Sequence, residues 1–209
     1  MKSLLLHSCC APCANVPLDL VSALGYTPVI LFANPNIHYQ SEYELRRDSL
    51  ASYAQQLGLQ FLEAPYLTGD WFQAIRNDGG VFPITDKGSE DKMRQSRMVR
   101  CRLCYRYRFQ ALARTASEMG IPTIATSLTI SPYQFHEILL EELAKAAAEH
   151  GLEALTDDWR PYYQEGQKRA RELGFYRQKY CGCEFSRQEA DIEREYKKIS
   201  KGNSRPADE

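Results

Sequence analysis

The sequence predicts an α/β fold, a parallel sheet flanked by helices, with additional helices carrying a Cys-x-x-Cys pair. Three observations lead there. Short apolar runs alternate with longer amphipathic segments, the links between them are short, and the first run, "SLLLH" (3–7), feeds a compact polar loop that opens a helix. Strand–helix–strand order with short links favours parallel strands joined by right-handed crossovers.

After "SLLLH", "ANVPLDLVSALG" (14–25) reads as a helix with Val16, Leu18, Leu20, Val21 and Leu24 apolar and Gly25 closing it. "YTPVILFAN" (26–34) is a second strand, rich in Val, Ile, Leu and Phe. "SEYELRRDSLASYAQQLG" (41–58) is a helix, with Ser41 as N-cap, Glu44 completing a capping box and Gly58 ending it. "LQFLEAP" (59–65) is the third strand, and "DWFQAIRN" (70–77) forms one or two helical turns. "DGGVFPITDKGSEDK" (78–92), with three glycines, a proline and several charges, reads as a mobile loop. A long helix covers 93–119 and stops at Gly120, and "IPTIATS" (121–127) is the fourth strand.

"PYQFHEILLEELAKAAAEHG" (132–151) is a helix with Pro132 in its first turn. "RPYYQEGQKRARELG" (160–174) is another helix, "FYRQKYCGCEF" (175–185) is extended and turn-like, and "SRQEADIEREYKKISKG" (186–202) is a terminal helix. Residues 203–209 read as a flexible tail. No repeat or composition shift divides the chain, so 1–209 is expected to be a single α/β domain.

The 209 residues, 44% of them hydrophobic, suffice for a core that needs no staples. A net charge of -1 excludes a general attraction to nucleic acid and leaves that to a local patch. Lys2 is followed only by Leu4, Leu5 and Leu6 before His7, too short a run for a secretory signal. No stretch approaches the ~18 apolar residues of a membrane helix. A cytoplasmic location, without a membrane partner and with reduced thiols, is therefore expected.

In open parallel sheets ligands sit beyond the carboxyl ends of the strands. Three exits, "HSCCAPCA", "NPNIH" (34–38) and "TSLTISPY" (126–133), are expected to converge there. The first stands where a nucleotide-binding fold keeps its phosphate loop, yet it contains no glycine, which argues against an ATP site.

Seven cysteines, Cys9, Cys10, Cys13, Cys101, Cys104, Cys181 and Cys183, all fall in tight clusters. An odd number cannot pair completely, and buried small hydrophobes would be scattered. "CRLC" (101–104) suits two ligands of one metal centre, and Gly182 lets "CGC" (181–183) bend around a metal. Neighbours on an extended segment point opposite ways, so Cys9 and Cys10 are expected to serve two centres. Four thiolates complete a cubane iron–sulfur cluster, and three are left for a second metal with an open position, as Lewis-acid chemistry requires. A single structural zinc and a dithiol oxidoreductase are the competing readings.

From Lys92 to Arg114 the chain carries Lys92, Arg94, Arg97, Arg100, Arg102, Arg106, Arg108 and Arg114 and no acid, with Tyr105 and Tyr107 interleaved. Arginine with aromatics binds phosphates and stacks on bases, although such a run is commonly a solvated helix face. His7 is read as a hydrogen-bonded core group, His136 as a group facing either cleft or core, His38 and His150 as solvated, and Trp71 and Trp159 as packing.

Taken in order, "LLHSCCAPCA", "NPNIH" with "EYELRR", "RCRLCYRYR", "TSLTISPYQ" and "YCGCEFS" closely resemble the cobalamin-independent epoxyqueuosine reductases of the QueH type, over nearly the whole chain except the loop around 78–90 and the last ~20 residues. The resemblance implies a fold akin to adenine-nucleotide α-hydrolases (HUP-like). It implies an oxidoreductase that converts epoxyqueuosine to queuosine in tRNA, the last step of queuosine biosynthesis, with a [4Fe-4S] cluster beside a mononuclear iron or other divalent metal.

Carried onto this chain, the resemblance places the cluster on Cys10, Cys101, Cys104 and Cys181, and the second metal on Cys9, Cys13 and Cys183. Some relatives hold aspartate where this chain has Cys13, which leaves the second metal's identity open. The mechanism expected on that basis draws electrons one at a time from an external donor and takes a proton from Tyr133, His136 or Tyr180. Arg94, Arg97, Arg100, Arg102, Arg106 and Arg108 would grip the anticodon stem-loop. The contrasting reading is a zinc-stabilised tRNA-binding or thiol-dependent tRNA sulfur-transfer protein.

Overall fold

The computed structural model describes residues 2–77 and 90–202. Leu4, Leu5 and Leu6 are fully buried because β1 (Lys2–His7) is the central strand, covered on both faces. Around it lie β2 (Tyr26–Phe32), β3 (Phe61–Glu63), β4 (Thr123–Thr126) and β5 (Glu153–Ala154), in the order β3-β2-β1-β4-β5. Every pairing is parallel, with His7 level with Leu31 on one side and Thr126 on the other. The expected parallel α/β sheet is what the chain forms.

The helices are α1 (Ala11–Ala23), α2 (Gln40–Gln56), α3 (Thr68–Asn77), α4 (Glu90–Glu118), α5 (His136–Glu149), α6 (Tyr163–Glu172) and α7 (Glu184–Gly202). α1 packs on α2 and α6, and α4 packs on α3 and α5. Right-handed crossovers that run outward from β1 in both directions put these two groups on opposite faces. The strand order therefore reverses between β1 and β4, and the cleft at that switch is where such sheets bind ligands.

Several local expectations are corrected. A fifth strand, β5, is present; two residues between helices give too short a pattern to read. α1 starts at Ala11 rather than 14, since Pro12 suits a first helical turn, so Cys13 is already helical. The capping box at Ser41 is absent: Tyr39 caps α2 without a side-chain bond, and Gln40 Nε2 donates instead to Glu44 Oε1 at 2.9 Å. Pro132 does not open α5, which begins at His136. A 3-10 turn, Ser127–Ile130, follows β4, and Ser131 before the proline is extended, as pre-proline residues prefer. Of the loop expected over 78–92, residues 78–89 lie outside the described residues and 90–92 begin α4. The expected tail, 203–209, also lies outside them. Among the described residues no helix is long and apolar enough to cross a membrane.

Candidate metal centre

The loop leaving β1 is pinned from both sides. Ser8 N donates to Leu31 O at 3.0 Å, and Asn34 Nδ2 donates to Ser8 O at 2.9 Å. The chain then bends at Cys9, Cys10 caps α1, and Cys13 sits in the helix's first turn. These three buried sulfurs lie within 4.8 Å of one another, with Cys9 Sγ 3.7 Å from Cys10 Sγ. The expectation that the adjacent thiols point apart is corrected: the bend at Cys9 interrupts the alternation of an extended strand. Thiolates bound to one ion at about 2.3 Å stand about 3.8 Å apart, so the triangle fits a single soft metal.

The other four thiols come from the opposite wall. Cys101 and Cys104 lie nearly one turn apart on α4. Cys104 and Cys183 pack with Trp71, Ile75, Leu103 and Phe185 in a small apolar cluster. Cys181 and Cys183 flank Gly182, whose φ of +137° is open to glycine and strained for other residues. A Cβ there would come within 2.9 Å of Ile37 Cγ1. The turn is held by His38 N donating to Gly182 O at 2.9 Å and by Tyr180 Oη donating to His38 O. Arg46, fully buried on α2, donates to Cys181 O at 2.9 Å and Tyr180 O at 3.1 Å while paired with Glu42 at 2.6 Å. All seven cysteines are free thiols.

The surroundings favour thiolate at Cys9 and the protonated thiol at the other shifted cysteines. Hydrogen bonds from Cys10 and Cys13 push Cys9 well below the ordinary thiol range, against burial, and Arg108 and Arg46 add to the effect. Burial pushes Cys10 up, and the Cys10 and Cys9 hydrogen bonds push Cys13 up. Burial and mutual repulsion raise Cys101, and raise Cys183 to about 12. Burial also raises Cys104, opposed by Arg108. A bound cation relieves such repulsion, and the donor set therefore fits a soft metal or an iron–sulfur cluster.

Arg108 donates to Asn34 Oδ1 at 2.6 Å and lies 3.1 Å from His7 Nε2. Burial, with Arg108 beside it, lowers the His7 pKa to about 3, so the ring is neutral. Arginine has only donors, so Nε2 accepts and Nδ1–H donates to Thr126 Oγ1 at 2.9 Å. His7 is thus the hydrogen-bonded core group expected.

A cavity of about 410 Å³ opens at the sheet's switch point, lined by Cys9, Cys13, Cys181, Tyr133, Gln134, Gln178 and Tyr180 among others. Gln178 Nε2 donates to Cys13 Sγ at 3.5 Å and Gln134 Nε2 to Cys181 Sγ at 3.8 Å. Of the three expected proton sources, Tyr133 (69% exposed) and Tyr180 reach this cavity. His136 does not: α5 begins at this residue, and its ring turns to Asp158 at 3.4 Å. His38 is not solvated as expected but half-buried, its ring 4.8 Å from that of Phe72 and 5.4 Å from that of Trp71. His150 is the partly exposed C-cap of α5. A second cavity of about 350 Å³, on the far side of Arg108, has no cysteine in its wall.

The arginine run does not form one solvated face. Arg100 and Arg108 are buried, the first paired with Glu189. Arg102 and Arg106 meet the buried Glu142 at 2.8 and 3.0 Å. Arg97 lies 3.8 Å from Glu189, and Arg94 is exposed. Tyr105 is buried and donates to Gln134 Oε1 at 2.7 Å, so its ring is not offered for base stacking. Acids on α5 and α7, distant in sequence, pair with Arg97, Arg100, Arg102 and Arg106.

Residues 4–189 match a family model described as "Epoxyqueuosine reductase QueH". The chain belongs to the QueH family. It is 33% identical over 198 residues to an epoxyqueuosine reductase QueH of Histophilus somni, covering 93% of this chain and 76% of that protein. It is 31% identical over 194 residues to the QueH of Thermotoga maritima (89% and 91%), and 28% identical over 203 residues to that of Dehalococcoides mccartyi (96% and 97%). The QueH family is thus one of oxidoreductases by the names of its members, and the buried cysteine group is consistent with a metal or cluster cofactor.

Four residues of the site were not read from sequence as parts of it: Arg46, Asn34, Gln134 and Gln178. Arg46 had a signal, since it shares the buried face of α2 with Tyr43, Leu50, Tyr53 and Ala54. A charge among such residues marks a buried partner. Asn34 and Gln134 lie in motifs already singled out, "NPNIH" and "TSLTISPYQ", but their partners, and the thiol that Gln178 meets, are brought to them only by folding.

Proposed function

We propose that this chain is an epoxyqueuosine reductase acting on tRNA in a cytoplasmic, thiol-reducing setting. The observation that carries the reading is the buried Cys9–Cys10–Cys13 group at the end of β1, whose Cys9 and Cys13 share one cavity with Cys181, in a chain of seven free thiols that matches the QueH family over residues 4–189. The conversion consumes two electrons and two protons; both epoxide C–O bonds break, the oxygen leaves as water and the alkene forms. When bound, a [4Fe-4S] cluster and a mononuclear iron or other divalent metal supply electrons from an external donor and Lewis-acid polarisation of the epoxide.

The chain's own residues do the rest. Cys10, Cys101, Cys104 and Cys181 hold the cluster, and Cys9, Cys13 and Cys183 hold the second metal. Arg46 and Arg108 stabilise the thiolates, and Gln134 and Gln178 orient Cys181 and Cys13. Tyr180 and Tyr133 are the groups in reach of a bound substrate for proton transfer; burial raises Tyr180 and keeps its phenol protonated. Of the α4 cations, Arg94 is exposed and Arg97 lines the cavity, which offers both to RNA. One observation favours a second partition of the thiols: the Cys9–Cys10–Cys13 triangle suits one ion, which leaves Cys101, Cys104, Cys181 and Cys183 for the cluster.

The test is anaerobic reconstitution with iron and sulfide analysis, a visible spectrum, and an assay on tRNA carrying epoxyqueuosine with a chemical reductant. Iron and sulfide in cluster ratio and conversion to queuosine are expected. One zinc without iron or sulfide, or intact iron centres with unchanged RNA, removes the assignment in favour of the zinc-stabilised tRNA-binding or sulfur-transfer reading.

A further inference from the structure

The segment between α6 and the Cys-Gly-Cys turn has an alternating build. Arg177 and Lys179 are exposed, whereas Gln178 and Tyr180 turn inward, as side chains of an extended chain do. The inward pair touches the thiol site: Gln178 donates to Cys13, and Tyr180 donates to His38 O beside the Arg46 guanidinium. All four residues line the 410 Å³ cavity, and the two exposed cations stand at its rim. Arg177 is bonded only to the neutral Gln167, at 3.3 Å. Among the described residues no carboxylate pairs with Arg177 or Lys179. The acid in the cavity wall, Glu189, is engaged by Arg100 and lies near Arg97. On α4, by contrast, Arg97, Arg100, Arg102 and Arg106 each meet a carboxylate. Across the mouth Tyr133 stands edge-on to Tyr163, ring centroids 5.9 Å apart, and offers an exposed aromatic face.

Resting on the reductase reading above, we propose that Arg177 and Lys179 form a phosphate-binding rim for the RNA substrate, beside Arg97 of α4 on the same cavity. They grip backbone phosphates on either side of the nucleotide that enters the cavity. Residues two apart on an extended chain are separated by about 6.6 Å, the scale of successive phosphates on a stretched strand. Inside, Gln178 Oε1 is buried with no partner, an acceptor left for a hydroxyl or ammonium group of the inserted nucleoside.

The test is binding of a fluorescein-labelled anticodon stem-loop RNA to the reconstituted protein at several salt concentrations. R177Q/K179Q is expected to bind about tenfold more weakly at low salt, with the log–log salt slope smaller by about 1.4 and iron content unchanged. The charge-conserving R177K/K179R retains the slope, and K145Q/K168Q, which removes two exposed lysine charges elsewhere, leaves binding as in the wild type. An unchanged slope in R177Q/K179Q overturns the rim even while the wild type converts epoxyqueuosine in RNA. A wild-type protein that neither binds nor converts that RNA removes the reductase reading and the rim with it.

Discussion

Arg46 Nη1 donates to the Cys181 carbonyl oxygen at 2.9 Å, tying a fully buried guanidinium to the Cys-Gly-Cys turn 135 residues away. The same guanidinium pairs with Glu42 and reaches Tyr180 O. Burial works against its charge, but Cys10, Cys9 and Glu42 outweigh it and raise its pKa. Arg46→Met leaves two carbonyls and a carboxylate without their donor. It is expected to cost about 3–5 kcal/mol in urea unfolding and to lower bound iron. Arg46→Lys keeps the charge but not the planar fork, and falls between the two.

Gly182→Ala places a Cβ 2.9 Å from Ile37 Cγ1 at a φ of +137°. A destabilisation of about 1–3 kcal/mol is expected, with reduced iron retention. Ile37 is itself fully buried, so Ile37→Ala costs about 2–5 kcal/mol alone, and the clash is read from the double-mutant cycle: the pair is expected to lose less than the two single losses together. A pair that loses no more than Ile37→Ala alone would place the whole Gly182→Ala cost in the side-chain clash.

The two partitions of the thiols differ in where Cys10 and Cys183 belong. Under the first, Cys10→Ala removes inorganic sulfide along with most iron, while Cys183→Ala loses one iron and keeps the sulfide. Under the second the two variants exchange behaviour. Iron and sulfide counts on anaerobically reconstituted protein decide between them.

His136 is held below its ordinary pKa by burial and by Arg160, while Asp158 opposes them. Asp158 itself is held at about 2 by its bonds to Arg160, so it stays charged throughout the histidine titration. With the folded value below the unfolded one, the unfolded chain gains its proton first as pH falls. Stability from neutral His136 is therefore complete above the unfolded pKa and is lost as pH drops. In an NMR titration Asp158→Asn is expected to move His136 further down; an upward shift would contradict the pairing.

Glu142, 1% exposed on α5, receives Arg102 at 2.8 Å and Arg106 at 3.0 Å from α4. Both arginines are partly solvated, which limits the value of each pair. Glu142→Gln is expected to cost about 2 kcal/mol in chemical denaturation, mainly by weakening α4 on α5. A change below about 0.5 kcal/mol would mean that water already satisfies the two guanidinium groups.

Much of the fold was legible because its elements carry local signals. Leu4–Leu6 read as a buried strand, and Gly25, Gly58 and Gly120 mark helix ends through left-handed backbone that glycine adopts freely. The two-residue β5 and the start of α5 were not legible. The first is too short for a periodicity, and the second depends on how the chain turns after β4. At the site, the cysteine clusters announced metal chemistry, yet the adjacency of Cys9 and Cys10 did not reveal that their sulfurs approach to 3.7 Å, since a bend cancels the alternation of an extended strand.

By itself, then, the sequence determined a parallel α/β sheet, seven clustered thiols and membership of the QueH family, because strand pattern, residue spacing and motif order are all local properties of the chain. Only the tertiary structure decided which thiols stand together, that Arg46 and Arg108 are buried beside them, and that acids on α5 and α7 pair with four of the α4 arginines. Those outcomes depend on pairs up to 135 residues apart, and charge pairing and burial are set by what folding brings into contact.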